Sequence, residues 1–123
     1  MRYVKITNDD RGGSRFEDVE VPQATVPYTE NVAPLLVSAE VAATGVIFVT
    51  TPPDVREAKP HAPPRRQFVV VLEGEVEVET SNGEKRTFTP GMVALAEDVG
   101  GEGHITRVVS STPWTFMAIP IAD

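Results

Sequence analysis

The chain has 123 residues, 41% apolar and 24% charged, which suits one folded domain and excludes both a second core and a disordered polymer. Eighteen acidic against eleven basic residues leave a formal charge of -7, which repels phosphate backbones and anionic headgroups, so neither nucleic acid nor membrane is an expected partner. With no cysteine, disulfides, thiolate nucleophiles and sulfur-ligated zinc are excluded, and any metal must be held by nitrogen and oxygen.

Taken in chain order, the periodic segments repeat with a spacing of two and are separated by eleven prolines and nine glycines, as in short strands joined by turns. Strands are predicted at 2–6, 15–21, 34–41, 45–51, 67–73, 75–80, 84–89, 92–96, 104–110 and 114–121, with no helix of note. Ten strands in one small domain imply two packed sheets or a barrel. Between them, 22–34 has three prolines and no period and reads as a long surface connection. The segment TPPDVREAKPHAPPRR has five prolines and reads as a rigid, extended loop.

In EVEVETSNGEKRTFT, Val76 and Val78 alternate with Glu75, Glu77 and Glu79, so one face is buried and the other wet. Asn82-Gly83 then supplies two residues that tolerate positive φ in a tight hairpin turn. FVVVL is apolar on both faces, as expected of a central strand covered on each side, by a second sheet or by a partner subunit. No segment approaches the roughly 20 apolar residues that span a bilayer, and no signal-like run follows Met1, so the expected compartment is the cytoplasm.

The only histidines, His61 and His104, flank the central hairpin. Counted along an extended chain, His61, Pro63, Arg65 and Gln67 share parity with Val69 and Val71, so an inward Val69 carries Gln67 and His61 inward with it. Arg65 and Arg66 point to opposite faces of such a strand, so at most one of the two reaches a cavity, where its fork would hold a carboxylate or enolate, while the other pairs with glutamates outside. Glu97 and Asp98 close the strand before a glycine turn, where a partly enclosed carboxylate beside a histidine makes an acid/base pair. The plain alternatives are polar residues at a barrel mouth, a solvated strand end and surface ion pairs. Phe68, Trp114, Phe116 and Met117 read as core or subunit contact.

These residues carry a resemblance. His61, Pro63, Gln67 and Gly74 stand at the spacings of the first motif of the cupins, and TPGMVALAEDVGGEGHITRVV, with Pro90, Gly91 and His104, is similar to their second motif. The resemblance covers about residues 40–121 and includes small stand-alone bacterial cupins. It implies an all-β double-stranded β-helix, a jelly-roll barrel of two packed antiparallel sheets, forming one domain over 1–123 with the strands of 1–39 packed on the barrel or across a homodimer. It also implies a divalent metal, iron, manganese, nickel or zinc, on His61, Gln67 and His104, with Asp98 or Glu97 completing the set. The sequence departs from the pattern at Pro63, where a second histidine usually stands, and at Gln67, where glutamate does; Met92 and Val108 differ too. A neutral amide binds metal more weakly than glutamate and leaves the site more positive, favouring anionic substrates.

Two functions of different classes follow. One is an enzyme acting on a small organic acid or carbonyl compound by isomerisation, elimination, cyclisation or oxygen-dependent cleavage, with a weakly bound metal or by metal-free acid/base chemistry through His61, His104 and Asp98. The other is a small-molecule-binding barrel without turnover.

Overall fold

Alternation of apolar and polar side chains sends about half of the chain into strands. The structure, a computed structural model, describes residues 1–27 and 29–123. Its strands are β1 (Arg2–Asn8), β2 (Ser14–Glu20), β3 (Ala24–Val26), β4 (Leu35–Val37), β5 (Ile47–Thr51), β6 (Gln67–Glu73), β7 (Val76–Thr80), β8 (Lys85–Phe88), β9 (Val93–Ala96), β10 (His104–Val108) and β11 (Trp114–Pro120). No helix occurs among the described residues.

Six strands form one sheet in the order β2-β1-β9-β6-β11-β5, and three form a second in the order β10-β7-β8. Among the described residues all strand pairings are antiparallel but one: β1 runs parallel to β9, with Val4 opposite Ala94 and Ile6 opposite Ala96. The N-terminal strands therefore widen the larger sheet, and Val4, Ile6 and Phe16 join Val71, Val76, Val78, Phe88 and Ala94 in one buried cluster. These residues come from both sheets, which makes the arrangement an all-β jelly roll with its core between two layers. Burying side chains of this size contributes about 1.5–3 kcal/mol each for the larger ones.

The expected hairpin forms between β7 and β8, but with a different turn. Only Gly83 adopts positive φ, at 88°. Asn82 instead uses its side chain, whose Oδ1 accepts from the Thr80 hydroxyl at 2.6 Å and from the Glu84 amide at 3.1 Å.

The reading of 22–34 as a bare connection is corrected: Ala24–Val26 pairs with Leu35–Val37 in a small ribbon, with Thr25 opposite Leu36. Each strand is only three residues long and bounded by proline, too short for an alternation to show in the sequence. Tyr28, within that segment, lies outside the described residues.

β6 is apolar on both faces for two different reasons. Val71 points into the core, whereas Phe68 and Val70 face an outer groove, where Tyr3 meets Phe68 edge-on with ring centroids 5.4 Å apart.

Candidate active site

The inward rows of β6 and β10 are apolar at one end and polar at the other. On β10, Val108 and Thr106 lie opposite Val76 and Val78 of β7, and His104 lies opposite Thr80. On β6 the inward row runs from Val71 through Val69 to Gln67. One end of the barrel is therefore apolar and the other is polar.

The proline-rich segment before β6 crosses that polar end. His61 donates its backbone N–H to the His104 carbonyl at 3.0 Å and accepts the His104 N–H at 3.0 Å. Directly opposed residues on neighbouring strands project to the same side, and the two imidazoles meet, with centroids 5.3 Å apart and planes inclined by 48°. Gly103 makes the crossing possible: its φ is +79°, and a Cβ there would overlap the His61 carbonyl and the Ala62 nitrogen. Sharp bending after GGEG was legible in the sequence; this close approach was not.

Each imidazole has a carboxylate beside its Nδ1. Asp98 is fully buried, and its Oδ2 lies 2.7 Å from His104 Nδ1. An ionised carboxylate can only accept, so Nδ1 carries the hydrogen and the neutral ring keeps its lone pair on Nε2. Glu57 lies beside His61, with Oε2 at 3.1 Å from Nδ1 in a more exposed ion-pair contact, while its Oε1 accepts the Thr106 N–H at 2.6 Å. Glu57 thus fastens the proline-rich segment to β10 and orients His61. Sequence reasoning missed it, because a glutamate four residues before a histidine signals a contact only on a helix, and this segment is not helical.

His61, His104 and Gln67 line a single cavity of about 250 Å³. The aromatic pair Trp114 and Phe116 forms part of its wall, with centroids 4.3 Å apart and planes 31° from parallel, and Trp114 also packs against the core cluster, in keeping with its reading as a core residue. Alternation on β11 would have put them on one inward face; what hid their role is that β11 lines the core and the cavity alike. The Trp114 indole Nε1 is buried and finds no acceptor among the described residues.

The remaining sequence candidates lie elsewhere. Asp98 sits behind His104, and its Oδ1 has no partner among the described residues. Glu97 does not join the histidines: it pairs with Lys5 at 3.4 Å and Arg66 at 3.2 Å. Arg66 also reaches Asp123 at 3.4 Å, and Arg65 is exposed; neither lines the cavity. Both Pro63 and Pro64 do line it, so the double proline breaks the alternation that nominated Arg65.

No protein-family model matches this chain, and no curated protein does. Among solved structures, a sugar phosphate isomerase from a cupin superfamily, from Silicibacter pomeroyi, aligns over 100% of this chain and 71% of its own, with a TM-score of 0.52 and 18% identity. The chain has a cupin fold. A cupin domain of an XRE family transcriptional regulator from Enterobacter cloacae aligns over 63% of this chain and 81% of its own, with 27% identity and a TM-score of 0.46. In this cupin barrel the polar end, where the two histidines meet, is the candidate site. No helix among the described residues is long and apolar enough to cross a membrane.

Proposed function

We propose that this cupin barrel is an acid/base enzyme that moves a proton on a small carbonyl compound, as in an isomerisation. A single observation carries the reading: two imidazoles 5.3 Å apart share one cavity, each with a carboxylate on its Nδ1. The buried Asp98 keeps the lone pair of His104 on Nε2, so Nε2 is the base that takes a proton from the carbon next to the carbonyl. The electron pair moves to the carbonyl oxygen, which takes a proton from the Nε2 of a protonated His61 and becomes an enol. Return of the oxygen-bound proton to His61, with delivery of the other from His104 to a different carbon, closes the cycle with no gain or loss of atoms. Glu57 and Asp98 position the rings and stabilise imidazolium when it forms.

The test is proton exchange in deuterium oxide, followed by NMR on a panel of small carbonyl compounds. Wild-type protein is expected to wash out protons next to the carbonyl, and His104→Gln to lose about 10²- to 10⁴-fold of that rate. No exchange by the wild type, or undiminished exchange by the variant, eliminates the reading.

A second reading keeps the metal. Orientation of both imidazoles through Nδ1 is also how metal-ligating histidines are held, leaving the Nε2 atoms of His61 and His104 and the amide oxygen of Gln67 as donors. Among the described residues no three His, Asp or Glu side chains are grouped to hold an ion, and these three donors are neutral, so the set suits a weakly held, exchangeable divalent ion such as iron, manganese, nickel or zinc. When bound, such an ion supplies Lewis-acid polarisation of the carbonyl. Elemental analysis of untagged protein tests it: stoichiometric metal that vanishes in the double variant His61→Ala, His104→Ala favours this reading, and metal content unchanged by that variant removes it.

A further inference from the structure

The wall of the cavity bears on the charge of what it holds. A phosphate or carboxylate leaving water needs a close cation, a helix N-terminus or converging backbone N–H groups. Among the described residues no lysine or arginine lines the cavity and no helix occurs. The cations of the neighbouring segment do not line it: Arg56, Lys59 and Arg65 are exposed, and Arg66 is engaged by Glu97 and Asp123. Among the described residues the one acidic side chain on the wall is Glu57, 3.1 Å from His61 Nδ1, so the charge that His61 carries in its acid form is already balanced and the net charge of -7 repels anions.

What the wall does offer is a flat, apolar surface and hydrogen-bonding groups. Trp114 and Phe116 form an aromatic side, and an apolar space of about 50 Å³, shared with Val69, Ala96 and Trp114, continues inward toward the core. The hydrogen-bonding groups on the wall are Thr51, Gln67, Thr106 and the two imidazoles, which pair with a carbonyl oxygen without carrying a full charge of their own when neutral.

We infer that the cavity selects an uncharged, planar carbonyl compound, such as a small ring enone or lactone, and rejects phosphorylated and carboxylate-bearing molecules. The inference rests on the acid/base reading and narrows its substrate to neutral carbonyl compounds, setting aside the organic acids and other anions that the sequence favoured.

Trp114 is the only tryptophan of the chain, so its emission reports on this wall alone. Titration with 2-cyclohexenone and δ-valerolactone is expected to quench it saturably, while cyclohex-1-enecarboxylate, glucose 6-phosphate and inorganic phosphate bind at least about tenfold more weakly. Phe116→Leu should weaken the neutral probes by roughly 2- to 10-fold. Thr51→Arg, which adds a cation to the wall, should raise anion affinity by about tenfold or more. An anionic probe that binds wild-type protein as tightly as the neutral rings, or no saturable response to any neutral ring, overturns the inference. Neutral rings that bind but exchange no protons leave it standing and remove the acid/base reading; exchange confined to anionic compounds does the reverse.

Discussion

Gly103→Ala is the sharpest perturbation of the site, because it acts on the crossing that brings the two histidines together. The first cost is conformational: alanine at a φ of +79° sits in the left-handed region, at about 1–2 kcal/mol. The second is crowding. A Cβ at residue 103 would overlap the His61 carbonyl and the Ala62 nitrogen, so the loop must retreat by more than about 1 Å to restore ordinary contact near 3.5 Å. Retreat breaks the two backbone hydrogen bonds between His61 and His104, worth about 0.5–1.5 kcal/mol each. The expected destabilisation is therefore about 2–5 kcal/mol. Gly100→Ala is the control, since Gly100 has a φ of +71° with nothing within 4 Å of its added Cβ. It carries the conformational cost and the same change in the unfolded chain but no crowding, so the difference between the variants isolates the crossing at about 1–3 kcal/mol. Urea denaturation reads both. Proton exchange should fall by about 10²-fold in Gly103→Ala, because His61 is displaced by more than about 1 Å. Equal destabilisation by the two substitutions would refute the reasoning.

Three further outcomes are expected. Nitrogen-15 NMR of the neutral His104 ring should find its hydrogen on Nδ1, and Asp98→Ala should release the Nε2–H form; a wild-type ring with hydrogen on Nε2 removes the proposed role of Asp98. Asp18 is held below its ordinary carboxyl value of 3.8, first by its hydrogen bond from Arg86, so its contribution is present above that value and fades as pH falls through the lower, folded one. Asp18→Asn should accordingly flatten the acid limb of the stability profile, slightly since the pair is exposed; an unchanged limb contradicts the assignment. We also infer a homodimer through the outer face of the larger sheet, where Tyr3, Phe68, Val70, Val93 and Ile119 line an apolar groove of about 470 Å³. Sedimentation should give a dimer that Val70→Glu dissociates, and a wild-type species of 13.3 kDa would exclude it.

Much of the barrel was legible because strand geometry writes a period of two directly into the chain. The inward set of Gln67, Val69 and Val71, the hairpin around Gly83 and the β-rich architecture all follow from that period and from turn residues. Where prolines interrupt the backbone the count fails, as it did for Arg65, and where strands shrink to three residues, as in β3 and β4, no period exists to read.

By itself the sequence determined which residues alternate inward and which chemical groups were available: two imidazoles, several carboxylates and no thiol. It could not decide which carboxylate meets which imidazole. Glu57, Glu97 and Asp98 are equivalent as text, yet Glu57 and Asp98 each orient a histidine while Glu97 joins Lys5 and Arg66. Those partnerships arise only when strands distant along the chain close into a barrel and one proline-rich segment crosses Gly103. Local stereochemistry sets the direction of a side chain, and only closure of the sheets sets its neighbour.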